Sequence, residues 1–207
     1  MISAAGFCPR GFVIGFSIAA PVGPIGVLCI RRSVAGGARI GFATGLGAAT
    51  ADAVYGAVAG FGLTVVSGFL VDERRWLQLL GGAFLCHLGL RAWRKKMGGG
   101  TVSDGGEGLL AAYASTFVLT LANPATILSF VAIFASIGLA VSPGAGAATA
   151  LVGGVFLGSA VWWLILSQSA GWFRSRLSAI WMTAIDRASG LILMAFGVAG
   201  IALGLMK

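Results

Sequence analysis

Charge is what this sequence has least of. Only 10% of its 207 residues are charged, against roughly 25% in soluble domains. Hydrophobic residues make up 58%, and mean hydropathy is +0.98. Too little polar surface remains to cover a water-soluble globule, so the natural solvent is a lipid bilayer. Acidic residues number six and histidine one. No nucleophile–base pair, convergent ligand set or phosphate-cradling loop can be assembled from them, so no catalytic residue, metal site or cofactor is expected. Cys8, Cys29 and Cys86 share no metal or redox spacing, and the last two read as small buried hydrophobes. The net charge of +8 does not point to nucleic acid, because the basic residues sit in short groups between apolar runs.

What is abundant is glycine, with 34 residues, more than twice the usual share of about 7%. Small residues let membrane helices approach closely, so glycine within apolar runs fits a helix bundle. Six stretches, at about residues 11–30, 40–66, 76–93, 109–137, 147–169 and 188–206, approach the ~20 residues that cross the hydrocarbon core. The expectation is an all-α, polytopic membrane bundle of six transmembrane helices, forming one domain over residues 1–207. Ten basic residues (Arg31, Arg32, Arg39, Arg91, Arg94, Lys95, Lys96, Arg174, Arg176 and Arg187) fall in connections on one side, and Arg10, Arg74, Arg75 and Lys207 on the other. That bias places the first group in the cytoplasm and both termini outside. Arg10 alone precedes the first apolar run, the reverse of a cleavable signal. Residues 98–108 read as a solvated linker, and residues 172–183 either as a short interfacial helix or as a loop with aromatic anchors.

A weak internal echo divides the chain into halves at about residues 1–97 and 109–207. Ala19-Ala20-Pro21 resembles Ala122-Asn123-Pro124, and Ala51-Asp52-Ala53-Val54-Tyr55 resembles Gly158-Ser159-Ala160-Val161-Trp162, at offsets of 103 and 107 residues. Three spans per repeat force the halves into opposite orientations, the 3+3 inverted-repeat plan of many secondary transporters.

Polar chemistry inside the apolar runs is confined to a few places. Pro21-Val22-Gly23-Pro24 interrupts the first span and would free the carbonyls of Ser17 and Ala20; such groups are tolerated at membrane depth where they find partners or line a wet cavity. Asn123-Pro124 reads as the cap and first position of a half-helix, whose N–H groups can receive a carboxylate. Asp52 is the sole carboxylate in any expected span. Gly41, Gly45, Ala48, Asp52, Gly56 and Gly60 form one small-residue face around it. It reads as a proton carrier, a counter-charge for a substrate ammonium, or a hydrogen-bonded structural aspartate. His87 reads as structural; Ser159 and Trp162 are candidates for a pathway, with Trp163 and Gln168 beside them.

Together these motifs resemble the lysine exporter (LysE/RhtB) superfamily. The resemblance rests on residues 11–26 with Pro-x-Gly-Pro, Gly36-Gly37, the glycine-rich residues 41–62, residues 80–93 with Leu88-Gly89-Leu90-Arg91, Asn123-Pro124 after residues 119–122, and residues 185–197. It implies a secondary exporter of amino acids or related small zwitterions in the bacterial inner membrane. It further implies proton drive and substrate contact near Pro21–Pro24 and Asn123-Pro124. With the break in the first span, the expected substrate-binding residues are Ser17, Pro21, Gly23, Pro24, Asn123 and Pro124, served by alternating access. The expected partners are thus a small-molecule substrate, protons and lipid, with a homodimer left open. One departure is Ala125-Thr126, where the family often has lysine or another polar residue after Asn-Pro. The alternatives are a membrane cation or metal exporter, a thiol–disulfide carrier using Cys29 and Cys86, and a purely structural membrane subunit.

Overall fold

The structure is a computed structural model that describes residues 6–21, 23–61, 74–94, 108–123, 126, 130, 145–174 and 179–206. They are helical apart from short breaks and helix ends, with no strand among them. Seven helices are described: α1 (Phe7–Ala19), α2 (Pro24–Gly36), α3 (Ala38–Gly60), α4 (Arg74–Arg94), α5 (Leu109–Leu121), α6 (Ala145–Arg174) and α7 (Ala179–Leu205).

The helix boundaries follow from local chemistry. α1 stops before Pro21, which has no N–H to continue the ladder. Gly23 then adopts an extended backbone and Pro24 takes the first helical turn of α2, where its missing donor costs nothing. The axes of α1 and α2 differ by 81°. A single residue separates α2 from α3, because Gly37 holds φ 95°, a region open to glycine and strained for other residues. α2 therefore carries Arg31 and Arg32 inside a helix, where the sequence had suggested a connection.

Two helices are long and apolar enough to cross a membrane alone, over Ala145–Phe173 and Thr183–Leu205, and α1 with α2 reaches that standard as a bent pair. The six-span expectation is therefore not matched by length and composition among the described residues. Glycine, threonine and Asp52 dilute α3, arginine, glutamine and histidine dilute α4, and α5 has 13 residues. Of the suggested interfacial segment over residues 172–183, Trp172 and Phe173 belong to the last turn of the 30-residue α6 and Ile180 and Trp181 to the first turn of the 27-residue α7, while residues 175–178 lie outside the described residues. The 98–107 part of the expected linker lies outside the described residues.

Packing is by close backbone approach. Gly11 and Gly15 on α1 lie against the backbone of Leu151 and Val155, while Gly154 and Gly158 on α6 lie against Cys8 and Phe12. Position numbers rise together along both helices, so α1 and α6 run parallel. Gly82 faces Gly197 and Gly89 faces Gly190, so α4 and α7 run antiparallel. α3 packs on both α5 and α6. The core joins Leu28, Cys29, Ala48, Ala49, Leu119, Trp163 and Leu193. Outward faces stay apolar, with Val13, Leu80, Val118, Leu157, Leu191 and Val198 exposed, as lipid contact requires.

Candidate functional site

The ends of α1 and α2 open onto a cavity of about 250 Å³. Ile18, Ala19, Pro21, Gly23 and Pro24 supply one wall, and Ile25 and Gly26 continue it. Thr120, Asn123 and Thr126 supply a second. α3 contributes Ala48 and Asp52, α6 contributes Trp163, and α7 contributes Phe196. Asp52 is the one charged side chain in this lining among the described residues.

The wall at Asn123 is built by a helix end. Asn123 N–H donates to the Thr120 carbonyl at 3.1 Å, and the Asn123 carbonyl accepts from Thr126 N–H at 3.1 Å. Asn123 is thus outside α5, with helical geometry resuming at Thr126. Tyr55 on α3 donates its hydroxyl to the Leu121 carbonyl at 2.6 Å and ties that end in place. Tyr55→Phe removes this one bond at an expected cost of about 1 kcal/mol. Thermal unfolding in detergent should show a fall of roughly 2–4 °C.

Asp52 is 3% exposed, on the glycine-lined face of α3 that packs against α6. Its Oδ2 accepts the Ser159 hydroxyl at 2.7 Å, and Ser159 Oγ accepts the Trp163 indole N–H at 3.0 Å. Among the described residues no cation pairs with it, and the ion pair present joins Arg31 to Asp186 at 3.0 Å.

The residues singled out in the sequence are placed as follows. Pro21, Gly23, Pro24, Asn123 and Asp52 share the cavity; Pro124 lies outside the described residues. Ser17 is exposed on α1, outside the lining. Ser159 is fully buried behind Asp52. Trp162 packs edge-on against Phe16, with ring centroids 5.4 Å apart, while its neighbour Trp163 faces the cavity. His87 is exposed on α4. Cys29 donates to the Gly41 carbonyl and Cys86 to the Met194 carbonyl, at separate helix contacts. Among the described residues no group of three or more His, Cys, Asp or Glu converges.

Two features escaped sequence reasoning. Arg32 is 5% exposed and donates to Thr44, Ser115 and Thr116 hydroxyls at 3.4, 2.9 and 3.0 Å and to the Ala112 carbonyl at 3.3 Å. Thr44 and Thr116 spend their own protons on the carbonyls four residues back, so their lone pairs are left to accept. This cage fastens α2 to α3 and α5, and the adjacent Ser115-Thr116 pair was its visible signal. Thr120, by contrast, is buried in the cavity wall with a hydroxyl that has no hydrogen-bond partner among the described residues.

A family model of LysE type translocators matches residues 16–203. The chain is 29% identical over 191 residues to the "Putative amino acid efflux protein YcgF" of Bacillus subtilis, covering 89% of this chain and 90% of that one. It is 26% identical over 197 residues to the "Chemotactic transduction protein ChpE" of Pseudomonas aeruginosa, covering 92% and 94%. It is also 30% identical over 146 residues to the "Uncharacterized membrane protein YahN" of Escherichia coli, covering 68% and 64%. No solved structure matches the chain.

Proposed function

The chain belongs to the family of LysE type translocators, and from that premise we propose that it exports a small amino acid or related zwitterion across the bacterial inner membrane in exchange for protons. The observation that carries this reading is the cavity where two helix ends meet Asp52. Its 250 Å³ is just below the ~300 Å³ at which pockets for drug-sized ligands begin, and it suits a small solute. Among the described residues the lining holds one carboxylate and no cationic side chain. The substrate ammonium accordingly meets Asp52. The substrate carboxylate meets neutral donors where the chain re-enters a helix at Asn123, with the helix dipole favouring negative charge there.

Alternating access fits the arrangement of the halves. Asp52 and Ser159, 107 positions apart, are equivalent in the internal echo and touch each other. Equivalent residues of an inverted repeat meet where its two-fold axis passes. α3 and α6 run antiparallel through this contact, as such an axis requires, and α4 pairs with α7 in the same sense. In this reading the interruptions at Gly23 and Asn123 lie within spans, and the halves rock around the cavity between them. Arg39, Arg91, Arg94 and Arg187 face the cytoplasm.

Proteoliposomes preloaded with each of the twenty radiolabelled amino acids test the proposal. At least one should leave faster than from protein-free vesicles, faster still with acid outside, and lose that stimulation when a protonophore is added. Efflux equal to protein-free vesicles for all twenty would sink it.

A further inference from the structure

Ser159 has no exposed surface and is held from two directions. An indole nitrogen can donate but not accept, so Ser159 Oγ must be the acceptor of the 3.0 Å bond from Trp163. The one hydroxyl proton is then left for Asp52 Oδ2, at 2.7 Å. To reverse that bond, Oγ would have to accept twice and turn its own proton to the helix carbonyl four residues back, a bond present at Thr44 and Thr116, whereas the Ser159 hydroxyl is given to Asp52. Oδ2 is thereby committed as an acceptor, and Oδ1 is the oxygen left to the cavity that Asp52 lines.

We propose that Trp163 and Ser159 are positioning residues that leave Asp52 a single seat, Oδ1, for which a proton and the substrate ammonium compete. The inference rests on the export reading above and specifies how its two cargoes exclude each other. With a proton on Oδ1, the group is a neutral acid whose O–H points into the cavity and repels another donor. Without it, Oδ1 accepts an N–H from the –NH3⁺ group, which keeps all its protons. Were Oδ2 free to carry the proton, Oδ1 could still accept from the ammonium, and both cargoes could bind together. No other titratable or charged side chain among the described residues intervenes in the cavity. α1 and α2 present Ile18, Ala19 and Ile25 there, α6 presents Trp163 and α7 Phe196, while Thr120 and Asn123 come from α5 and its end. Nearby, Tyr55 is engaged with Leu121, Cys29 with Gly41, and Arg32 with its hydroxyl cage.

The test is amino-acid exchange in proteoliposomes at equal pH on both sides, using whichever of the twenty amino acids the wild type moves fastest. Competition at one seat makes the apparent KM rise about tenfold per unit fall in pH once protons dominate, with maximal exchange unchanged. Trp163→Phe keeps the ring in the wall and deletes the N–H that pins Ser159. Whatever its KM at alkaline pH, the rise on acidification should fall to less than about threefold per unit. Ser159→Ala should do the same, and Ser159→Thr should restore the wild-type slope. A tenfold slope retained in both Trp163→Phe and Ser159→Ala would overturn the single seat, as would a wild-type KM that ignores pH. Loss of all amino-acid flux in the wild type would instead remove the export reading itself.

Discussion

Asp52→Asn is expected to reduce proton-driven export to the level of protein-free vesicles while the protein still folds and inserts. Asparagine has nearly the size of aspartate, and its amide oxygen can accept the Ser159 hydroxyl that now reaches Oδ2 at 2.7 Å. Removing a buried carboxylate also relieves its desolvation cost, so the yield of folded protein should hold or rise. What disappears is the ability to bind a proton and to meet an ammonium with a full negative charge. A group that only carried protons would leave substrate exchange intact in the variant. A group that also holds the ammonium would not, so exchange should fall together with export. Unchanged export by Asp52→Asn removes this residue from the mechanism.

Gly158→Val is expected to have the largest effect on folding. A Cβ at Gly158 would fall on the backbone of α1, at the Phe12 carbonyl oxygen, 2.8 Å from its carbon and 2.9 Å from Phe16 N. Side chains can turn away from such a contact, but a helix backbone cannot. The cost should therefore exceed the ~1–3 kcal/mol usual for an overpacked core. α1 would be pushed off α6, taking the wall at Ala19–Pro24 with it. Size-exclusion profiles in detergent should show loss of the folded peak. Gly153→Ala is the control: it lies on the same helix with nothing within 4 Å of a new Cβ. It should be neutral, or more stable by up to about 1 kcal/mol.

Much of this was legible before any coordinates. The shortage of charge and the glycine-rich apolar runs fixed an all-helical membrane protein, and the short motifs around Pro21–Pro24 and Asn123 pointed to the family. The glycine spacing also placed Asp52 on a packed face, because small residues recur there with helical periodicity. Other features were hidden for physical reasons. Arg32 looked like a loop residue because the positive-inside bias concerns where basic residues collect and says nothing of one caged by hydroxyls. Trp162 and Trp163 are adjacent and identical in type, so only the rotation of α6 decides which meets the cavity. Ser17 shares the turn that precedes Pro21, yet its position on α1 carries it to the outer face. The number of spans is not settled by length and composition among the described residues, because glycine, threonine and arginine thin the apolar character of α3 and α4.

Substrate protection of an introduced thiol tests the cavity most directly. With Cys8, Cys29 and Cys86 replaced by alanine, Ala48→Cys places a thiol in the cavity wall, and Ala49→Cys places one in the core beside it. The exported amino acid at about ten times its Kd should slow alkylation of the first roughly tenfold and leave the second unaffected. Equal alkylation rates at position 48 with and without the amino acid would show that substrate binds elsewhere.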